Sequence, residues 1–381
     1  MLQLSQRIPH LQASPIREIL AVIERPGMIS FAGGLPSPDS FPQLRTDNIP
    51  ERMLQYGASE GEPELRAQIC RDMQSIGLDC TPGQVLILSG SQQGIDLCAK
   101  LFVDHNTPIA LENPTYLAAL QVFRFFGARF VELDPMLPEV ALSQKPPIPF
   151  CYVIPTFQNP TGRCYTSTMR EHLAEACMQR GTVLFEDDPY RDLVYEPCER
   201  RPICSYLRSG NWIYQGSFSK SFAPGLRLGF LVCSEALVPY LTRLKQAADL
   251  HSNRLSQYLV LQQLQDPQRE QRMEQLRMNY LQKRDYFAAS LQQTLAPYAE
   301  WEVPAGGLFF WLKLKTNTDT QALLARAIDH GVAFMPGEPF FYSRHDEHSY
   351  IRLNFSHANE TAISAGLTTL GELLSQTSTR T

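Results

Sequence analysis

Between residues 85 and 234 short apolar runs alternate with longer stretches of helical period, and this alternation restricts the fold more than any other feature of the chain. Seven runs stand out: VLILS, PIALE, ARFVELD, FCYVIP, TVLFED, NWIYQ and LGFLVCS. Several are apolar throughout, as strands covered on both faces must be; a strand with one face in water would alternate. Strands spaced by helical segments predict an α/β fold, a mainly parallel, doubly wound sheet with helices on both sides. From about 235 to 288 the Leu-, Gln- and Arg-rich sequence reads as long amphipathic helices. Beyond Trp301 the character changes, and GGLFFWLKL and HSYIRLNFS read as antiparallel strands around a helix, a smaller α+β unit. A chain of 381 residues exceeds what one core holds, roughly 250–300 residues, so two domains are expected. The large one spans 46–288, and the small one combines 1–45 with 289–381. The first segment holds one short helix around Ser14 to Ile23 and the turn-rich FAGGLPSPDSFP, too little for a core of its own. It is expected to lie against the small domain and the cleft.

The formal net charge is -5, with no basic stripe, so nucleic acid is not an expected partner. No apolar run approaches the ~20 residues that span a bilayer. Met1 to Leu11 is polar and lacks the apolar core of a signal peptide, which makes a cytoplasmic location with no membrane partner the expectation. The nine cysteines are scattered from Cys70 to Cys233 without a C-x-x-C pair, a pattern of reduced packing thiols rather than a disulfide framework or zinc site. His345 and His348, in HDEHSY, are spaced like ligands but read as a solvated loop, and no metal is expected.

In an open α/β sheet ligands bind beyond the carboxyl ends of the strands. VLIL is followed by SGSQQG and then a helical run, so the backbone N–H groups of Gly90, Ser91 and Gln92 can face an anion, although an ordinary capped turn reads the same. The motif is neither G-x-G-x-x-G nor G-x-x-x-x-G-K-[ST], which leaves a dinucleotide or nucleoside triphosphate unsupported. FCYVIP leads into TFQNPTG and Asn159, an amide donor. TVLFE leads into DDPY, where Asp187 and Tyr190 can turn toward one heterocycle. NWIYQG delivers SFSK, with Lys220 flanked by serines and Arg227 seven residues later. Of the seven lysines only Lys220 sits just past a core strand; a solvated surface suits the others. A phosphate site, a carboxylate, a phenol and an amide converging on a lysine are what a phosphorylated pyridine aldehyde requires. In YIRLNFS, Ile351, Leu353 and Phe355 alternate with Arg352, Asn354 and Ser356. The arginine fork suits a carboxylate, and an exposed strand face is the alternative.

With SPIREIL, FAGGLP, YGASEGEPELR, ENPTY, PAGGLFFWLKL and VAFMPG added, the order and spacing of these motifs resemble, over nearly the whole chain, the fold-type I, class I/II pyridoxal-phosphate-dependent aminotransferases. The nearest resemblance is to 2-aminoadipate and kynurenine aminotransferases and to the aminotransferase-like domains of MocR-type regulators. It implies pyridoxal 5'-phosphate (PLP) carried on Lys220 as a Schiff base, with Lys220 later moving the Cα proton. It implies that Asp187 keeps the pyridine nitrogen protonated, that Asn159 and Tyr190 bond the phenolic oxygen, and that Tyr116 stacks on the ring. Ser217, Ser219 and Arg227 would hold the phosphate beside Gly90, Ser91 and Gln92. Tyr56 would reach the phosphate of the neighbouring subunit's cofactor, which implies a homodimer with shared active sites.

Arg352, with Asn159, would take the substrate α-carboxylate. Gly34 would let the backbone approach closely, unless it is a plain turn glycine. Arg17, on one helix face with Ser14, would meet the distal carboxylate of an acidic substrate; a solvated arginine is the alternative. The implied reaction moves an amino group between an L-amino acid and a 2-oxo acid, with 2-oxoglutarate and glutamate as one pair and ping-pong kinetics. A lyase or decarboxylase on the same fold is one rival reading. A ligand-sensing regulatory domain is another, although such regulators carry a basic winged-helix domain ahead of this region, and here SPIRE starts almost at the first residue.

Overall fold

The computed structural model describes residues 3–10, 25–343 and 349–378. The expected helix around Ser14 to Ile23, with Ser14 and Arg17, and the histidines His345 and His348 lie outside the described residues. A two-residue strand, β1 (Ile29–Ser30), precedes the seven expected strands: β2 (Val85–Leu88), β3 (Pro108–Leu111), β4 (Arg129–Glu132), β5 (Phe150–Val153), β6 (Val183–Asp187), β7 (Trp212–Ser217) and β8 (Gly229–Cys233). These seven form one sheet in the order β2-β8-β7-β6-β5-β3-β4. The pairs β4–β3, β3–β5, β5–β6 and β6–β7 are parallel, whereas β8 is antiparallel to β7 and β2. The connection 218–228 contains no α-helix, so the chain cannot cross over and instead turns back as β8.

Every residue of β2, β3, β5, β6 and β8 is buried, and the edge strand β4 buries only Val131. The continuous apolar runs thus have the two covered faces they require. One face packs Ile109, Phe150, Tyr152, Phe185 and Ile213 under the helices Ser91–Phe102 and Leu117–Phe125. The opposite face packs Cys151, Val153, Leu184 and Tyr214 under Pro63–Ser75 and Ser167–Arg180. The last of these starts where Thr166 Oγ1 accepts the Met169 N–H at 3.3 Å and stops at Gly181, whose φ of 67° a glycine adopts readily.

Three helices, Val238–Asp249, Arg254–Leu264 and Arg269–Thr294, follow β8. A second sheet then forms from β9 (Ala299–Trp301), β10 (Phe309–Leu314), β12 (Met335–Pro336) and β13 (Tyr350–Asn354), after the short β11 (Val332–Ala333). Its order is β12-β13-β10-β9, all antiparallel, with Trp311 opposite Arg352. This is the pairing expected of GGLFFWLKL and YIRLNFS. The strand β1 pairs in parallel with β11, and the Phe31 N–H donates to Ala333 O at 2.8 Å, so the N-terminal segment is tied to the second core. We propose that these cores correspond to a large domain, 46–288, and a small domain, 1–45 with 289–381, with helix Arg269–Thr294 running between them. Among the described residues no helix is long and apolar enough to cross a membrane.

The first core holds an ion pair with both side chains fully buried, Arg170 and Glu186, 3.7 Å apart. Burial pushes the Glu186 carboxyl up, and Arg170 opposes the shift. Arg170 also donates to the carbonyls of Pro155 and Glu199 at 2.9 and 3.0 Å, so it holds the backbone that leads to Asn159. Removing it strands a buried carboxylate and several acceptors. Arg170→Met should therefore lower unfolding free energy by about 3–5 kcal/mol in denaturant titrations. Lys100→Met, which breaks the surface pair with Asp96, should change it by less than about 1 kcal/mol. Equal effects would show that the buried pair has no special weight.

Candidate active site

Beyond the carboxyl ends of the parallel strands lies a cavity of about 380 Å³ whose lining draws on both cores. It brings together Ser91, Gln92, Tyr116, Asn159, Asp187 and Tyr190 from the first half of the large sheet's strand ends. Ser217, Ser219, Lys220 and Arg227 come from the β7–β8 region, and Gly34 and Arg352 from the N-terminal segment and β13. Gly90 adjoins it as the N-cap of helix Ser91–Phe102. Tyr56 is elsewhere, 76% exposed on the surface of its own chain.

Lys220 reaches this cavity from the loop after β7, and its Nζ donates to Gly34 O at 2.6 Å. Burial, then the nearby Arg352 and Arg227, push its amine down from 10.5 to about 8. A lysine so placed is more often the neutral nucleophile than a surface lysine is.

Asp187 ends β6 on the face that carries Val183 and Phe185. Its Oδ2 accepts from Tyr152 OH at 2.7 Å and its Oδ1 from Gln215 Nε2 at 2.8 Å. Burial pushes the carboxyl up to about 6 against the opposing effect of those two donors. The cross-strand register sets Gln215 opposite Asp187, and a side chain at Gly94 would collide with the Gln215 amide oxygen, so the helix above the sheet must have a glycine there. Asp188 points to the other face, where Tyr214 OH donates to it at 3.0 Å and Arg191 lies 3.4 Å away.

At the anion end, Gly90 has φ 82°, and a Cβ on it would lie 2.5 Å from Arg227 Nη2. The absence of that atom lets a guanidinium lie across the start of the helix. First-turn N–H groups have no partner within a helix and carry the positive end of its dipole, so the two features share one electrostatic sign. The turn is braced from behind by a buried network. The Ser89 N–H donates to Gln93 Oε1 at 2.9 Å, and Lys245 Nζ donates to the same oxygen at 3.0 Å and to Asp249 Oδ1 at 2.9 Å.

Arg352 is 3% exposed and stacks 4.1 Å from the Phe309 ring centroid. Its Nη1 donates to Asn159 Oδ1 at 2.8 Å and its Nη2 to Ala32 O at 2.7 Å, while Nε is buried without a hydrogen-bond partner. No carboxylate pairs with it among the described residues. Burial accordingly pushes the guanidinium down to about 10. Asn159 Nδ2 in turn donates to Tyr190 OH at 3.4 Å. Tyr116 caps the helix that follows it and borders Gln92, its OH 3.5 Å from Oε1. Among the described residues no group of three or more His, Cys, Asp or Glu is placed to hold a metal ion.

Residues 36–367 match the profile of the family described as aminotransferase class I and II. The chain belongs to that family. This aminotransferase is 37% identical, over 96% of its length and 94% of the relative's, to the 2-aminoadipate transaminase of Thermus thermophilus. It is 32% identical to aromatic-amino-acid aminotransferase 1 of Thermococcus litoralis, over 98% of this chain and 94% of the relative. Among solved structures it is similar to LysN, the alpha-aminoadipate aminotransferase of Thermus thermophilus, complexed with N-(5'-phosphopyridoxyl)-L-leucine. That likeness has a TM-score of 0.89 and 35% identity over 99% of this chain and 98% of that one. The fold is PLP-dependent transferase fold type I, and the chain is an aminotransferase of the PLP-dependent class.

The strand-end reading of the sequence reached neither Tyr152 and Gln215, which hold Asp187, nor Phe309 beneath Arg352. A polar atom inside an otherwise apolar strand was the available signal for the first two. Nor did it reach Arg254, which pairs with Glu62 through Nη2 to Oε2 at 3.1 Å and donates to the carbonyls of Gln55 and Tyr56 at 3.0 Å each.

The opposite orientations of the two aspartates give a direct test. Asp187→Asn should leave the circular dichroism unchanged and lower kcat by roughly 100-fold or more, as loss of a preorganised charge does. Asp188→Asn should act mainly on thermal stability, because its partners are Tyr214 and Arg191. Equal losses of kcat in two well-folded variants would show that the carboxylates are not divided in this way.

Proposed function

We propose that this cavity holds PLP on Lys220 and that the enzyme transfers an amino group between an L-amino acid and a 2-oxo acid, with 2-oxoglutarate and glutamate as one pair. The observation that carries the reading is the convergence of a lysine with a depressed pKa, a hydrogen-bonded buried carboxylate and an anion site on one cavity. The residues fit the group. Gly90, Ser91, Gln92, Ser217, Ser219 and Arg227 would hold the phosphate, and a side chain on Gly90 would fill that cradle. Asp187 would hold the pyridine nitrogen, Asn159 and Tyr190 the phenolic oxygen, and Tyr116 one face of the ring.

Bound there, PLP supplies the electron sink that makes a Cα–H bond acidic. Lys220 Nζ is the group of this chain that takes up and returns the proton, since it is the titratable amine at the cavity. Asp187 stays anionic opposite a cation because Tyr152 and Gln215 both donate to it. Arg352, with an unpartnered Nε and no acidic partner among the described residues, would receive the α-carboxylate beside Asn159 and Gly34. Arg17 and Ser14 remain our choice for the distal carboxylate of acidic donors. Alternate use of two substrates at one such site gives ping-pong kinetics. A cytoplasmic homodimer is part of the same reading: Leu54 and Tyr56, 78% and 76% exposed, stand on the segment clamped by Arg254, from which Tyr56 would enter the partner's phosphate site.

Borohydride reduction of the yellow protein should fix the cofactor to a single peptide containing Lys220. Covalent uptake of PLP by the apoprotein requires the neutral amine, so its rate should rise with pH through about 8 and then level. A label on another lysine, or a rate still rising toward 10.5, would overturn the assignment.

Mixing Tyr56→Phe with Lys220→Ala subunits should produce hybrids more active than either parent, because one hybrid site has both defects and the other neither. Proven subunit exchange without such recovery would rule out the shared site.

A further inference from the structure

Lys245 is fully buried in helix Val238–Asp249 and is not among the residues that line the cavity. Its ammonium has three N–H groups, and three acceptors surround it: Asp249 Oδ1 at 2.9 Å, Gln93 Oε1 at 3.0 Å and Ser252 Oγ at 2.9 Å. Burial pushes the Asp249 carboxyl up, but donation from Ser89 and Lys245 outweighs it and holds the group below the ordinary carboxylate range. The two groups are therefore ionised. A buried ion pair is weak evidence for stability, because apolar side chains of the same shape hold a fold as well or better. What this charge does is orient its acceptors.

A glutamine amide can present its oxygen or its NH2, and opposite an ammonium only the oxygen is favourable. Lys245 thus fixes Gln93 with Oε1 toward the lysine, where that oxygen also accepts the Ser89 N–H at 2.9 Å. The Ser89 hydroxyl is held as well, donating to Asp249 Oδ2 at 2.6 Å. Ser252 Oγ, the third acceptor, donates in turn to Ile87 O in β2 at 3.2 Å. Backbone and side chain of Ser89 are both tied to the lysine and its partners, one residue before Gly90 turns the chain at φ 82°. With the Ser89 N–H satisfied in this way, the N–H groups of the first helical turn remain for an anion. Gly229 completes the fit, since a Cβ there would lie 2.9 Å from Ser91 N.

We propose that Lys245 and Gln93 are positioning residues for the anion site: they set the direction of the Gly90, Ser91 and Gln92 N–H groups, and hence the affinity for a phosphoryl group, without touching it. That this group is the phosphate of PLP rests on the function proposed above; the bracing of an anion-binding turn does not. The network acts on one end of the ligand. The contacts expected at the ring, from Lys220, Asp187, Asn159 and Tyr190, come from other strand ends, so a ligand without a phosphoryl group should not sense the loss of Lys245.

The test titrates the full-length apoprotein and its K245M and Q93L variants with PLP, with pyridoxal, which lacks the phosphate, and with inorganic phosphate alone. Each variant should bind PLP and inorganic phosphate roughly tenfold more weakly, about the worth of one well-aligned hydrogen bond, and bind pyridoxal as the wild type does. Q93L leaves the Lys245–Asp249 pair intact, so its effect does not come from a stranded charge, and it carries the test where K245M fails to fold. Equal weakening of PLP and pyridoxal, or unchanged affinity for PLP and phosphate in folded variants, overturns the positioning role. Weaker phosphate binding in the variants of a wild-type protein that takes up neither PLP nor pyridoxal supports the braced turn and overturns the function proposed above. A wild-type protein that binds neither inorganic phosphate nor PLP overturns both.

Discussion

Asp187 is a buried carboxylate at the end of the central strand of a covered sheet, and among the described residues it forms no ion pair. Burying such a charge costs several kcal/mol. The two donors that offset the cost, Tyr152 and Gln215, come from the strands on either side, so the site depends on the pairing of β5, β6 and β7. Side-chain parity does the rest. Tyr152, Asp187 and Gln215 share one face, whereas Glu186, Asp188 and Tyr214 share the other, where Arg170 and Arg191 pair with them. A slip of one residue in β6 would exchange the two sets and bury each carboxylate among the wrong partners. The remaining upward shift of Asp187 reflects the burial, with the nearby Asp188, that its two donors leave unoffset, and in the proposed function a pyridinium facing it would offset the rest.

The charges that border the cavity have a consistent logic. Lys220, Arg227 and Arg352 face it, with Asp187 as the acidic member of the lining. Arg352 and Arg227 are among the causes, after burial, that lower Lys220 and so shift it toward the neutral amine. Anions at the helix N-terminus and at Arg352 would reverse that influence and favour the protonated form. The two anion positions are thus coupled to the protonation of the lysine between them through ordinary Coulomb interactions in a low-dielectric cavity.

The parts of the site legible in the sequence are those that follow an apolar run. Gly90, Asn159 and Lys220 follow strands that had to be buried, Asp187 closes one, and Arg227 lies in the connection between two, and the rule that strand ends face the ligand needs no knowledge of register. Arg352 was legible through alternation, because β13 presents Ile351 and Leu353 on one side. What escaped needed the third dimension. Tyr152 and Gln215 look like strand interior until the neighbours of Asp187 are known. The apolar run of β8 does not announce its direction, since a strand covered on both faces reads alike in either sense; its reversal is fixed by the short connection before it. The contact of Arg254 with Glu62 joins residues 192 apart in sequence, and neither has a local pattern that marks it.

The segment around Ala32 to Leu35 shows how the two cores meet at the lysine. It is attached to the second core by the pairing of β1 with β11, by the Asn354 N–H donating to Phe31 O at 2.8 Å, by Arg352 donating to Ala32 O at 2.7 Å, and by Ser356 Oγ donating to Leu35 O at 2.7 Å. Its bond to the loop after β7 is the one from Lys220 Nζ to Gly34 O at 2.6 Å. The bonds to the second core do not involve that nitrogen. The backbone that borders the Lys220 amine is therefore held chiefly by the core that carries Arg352.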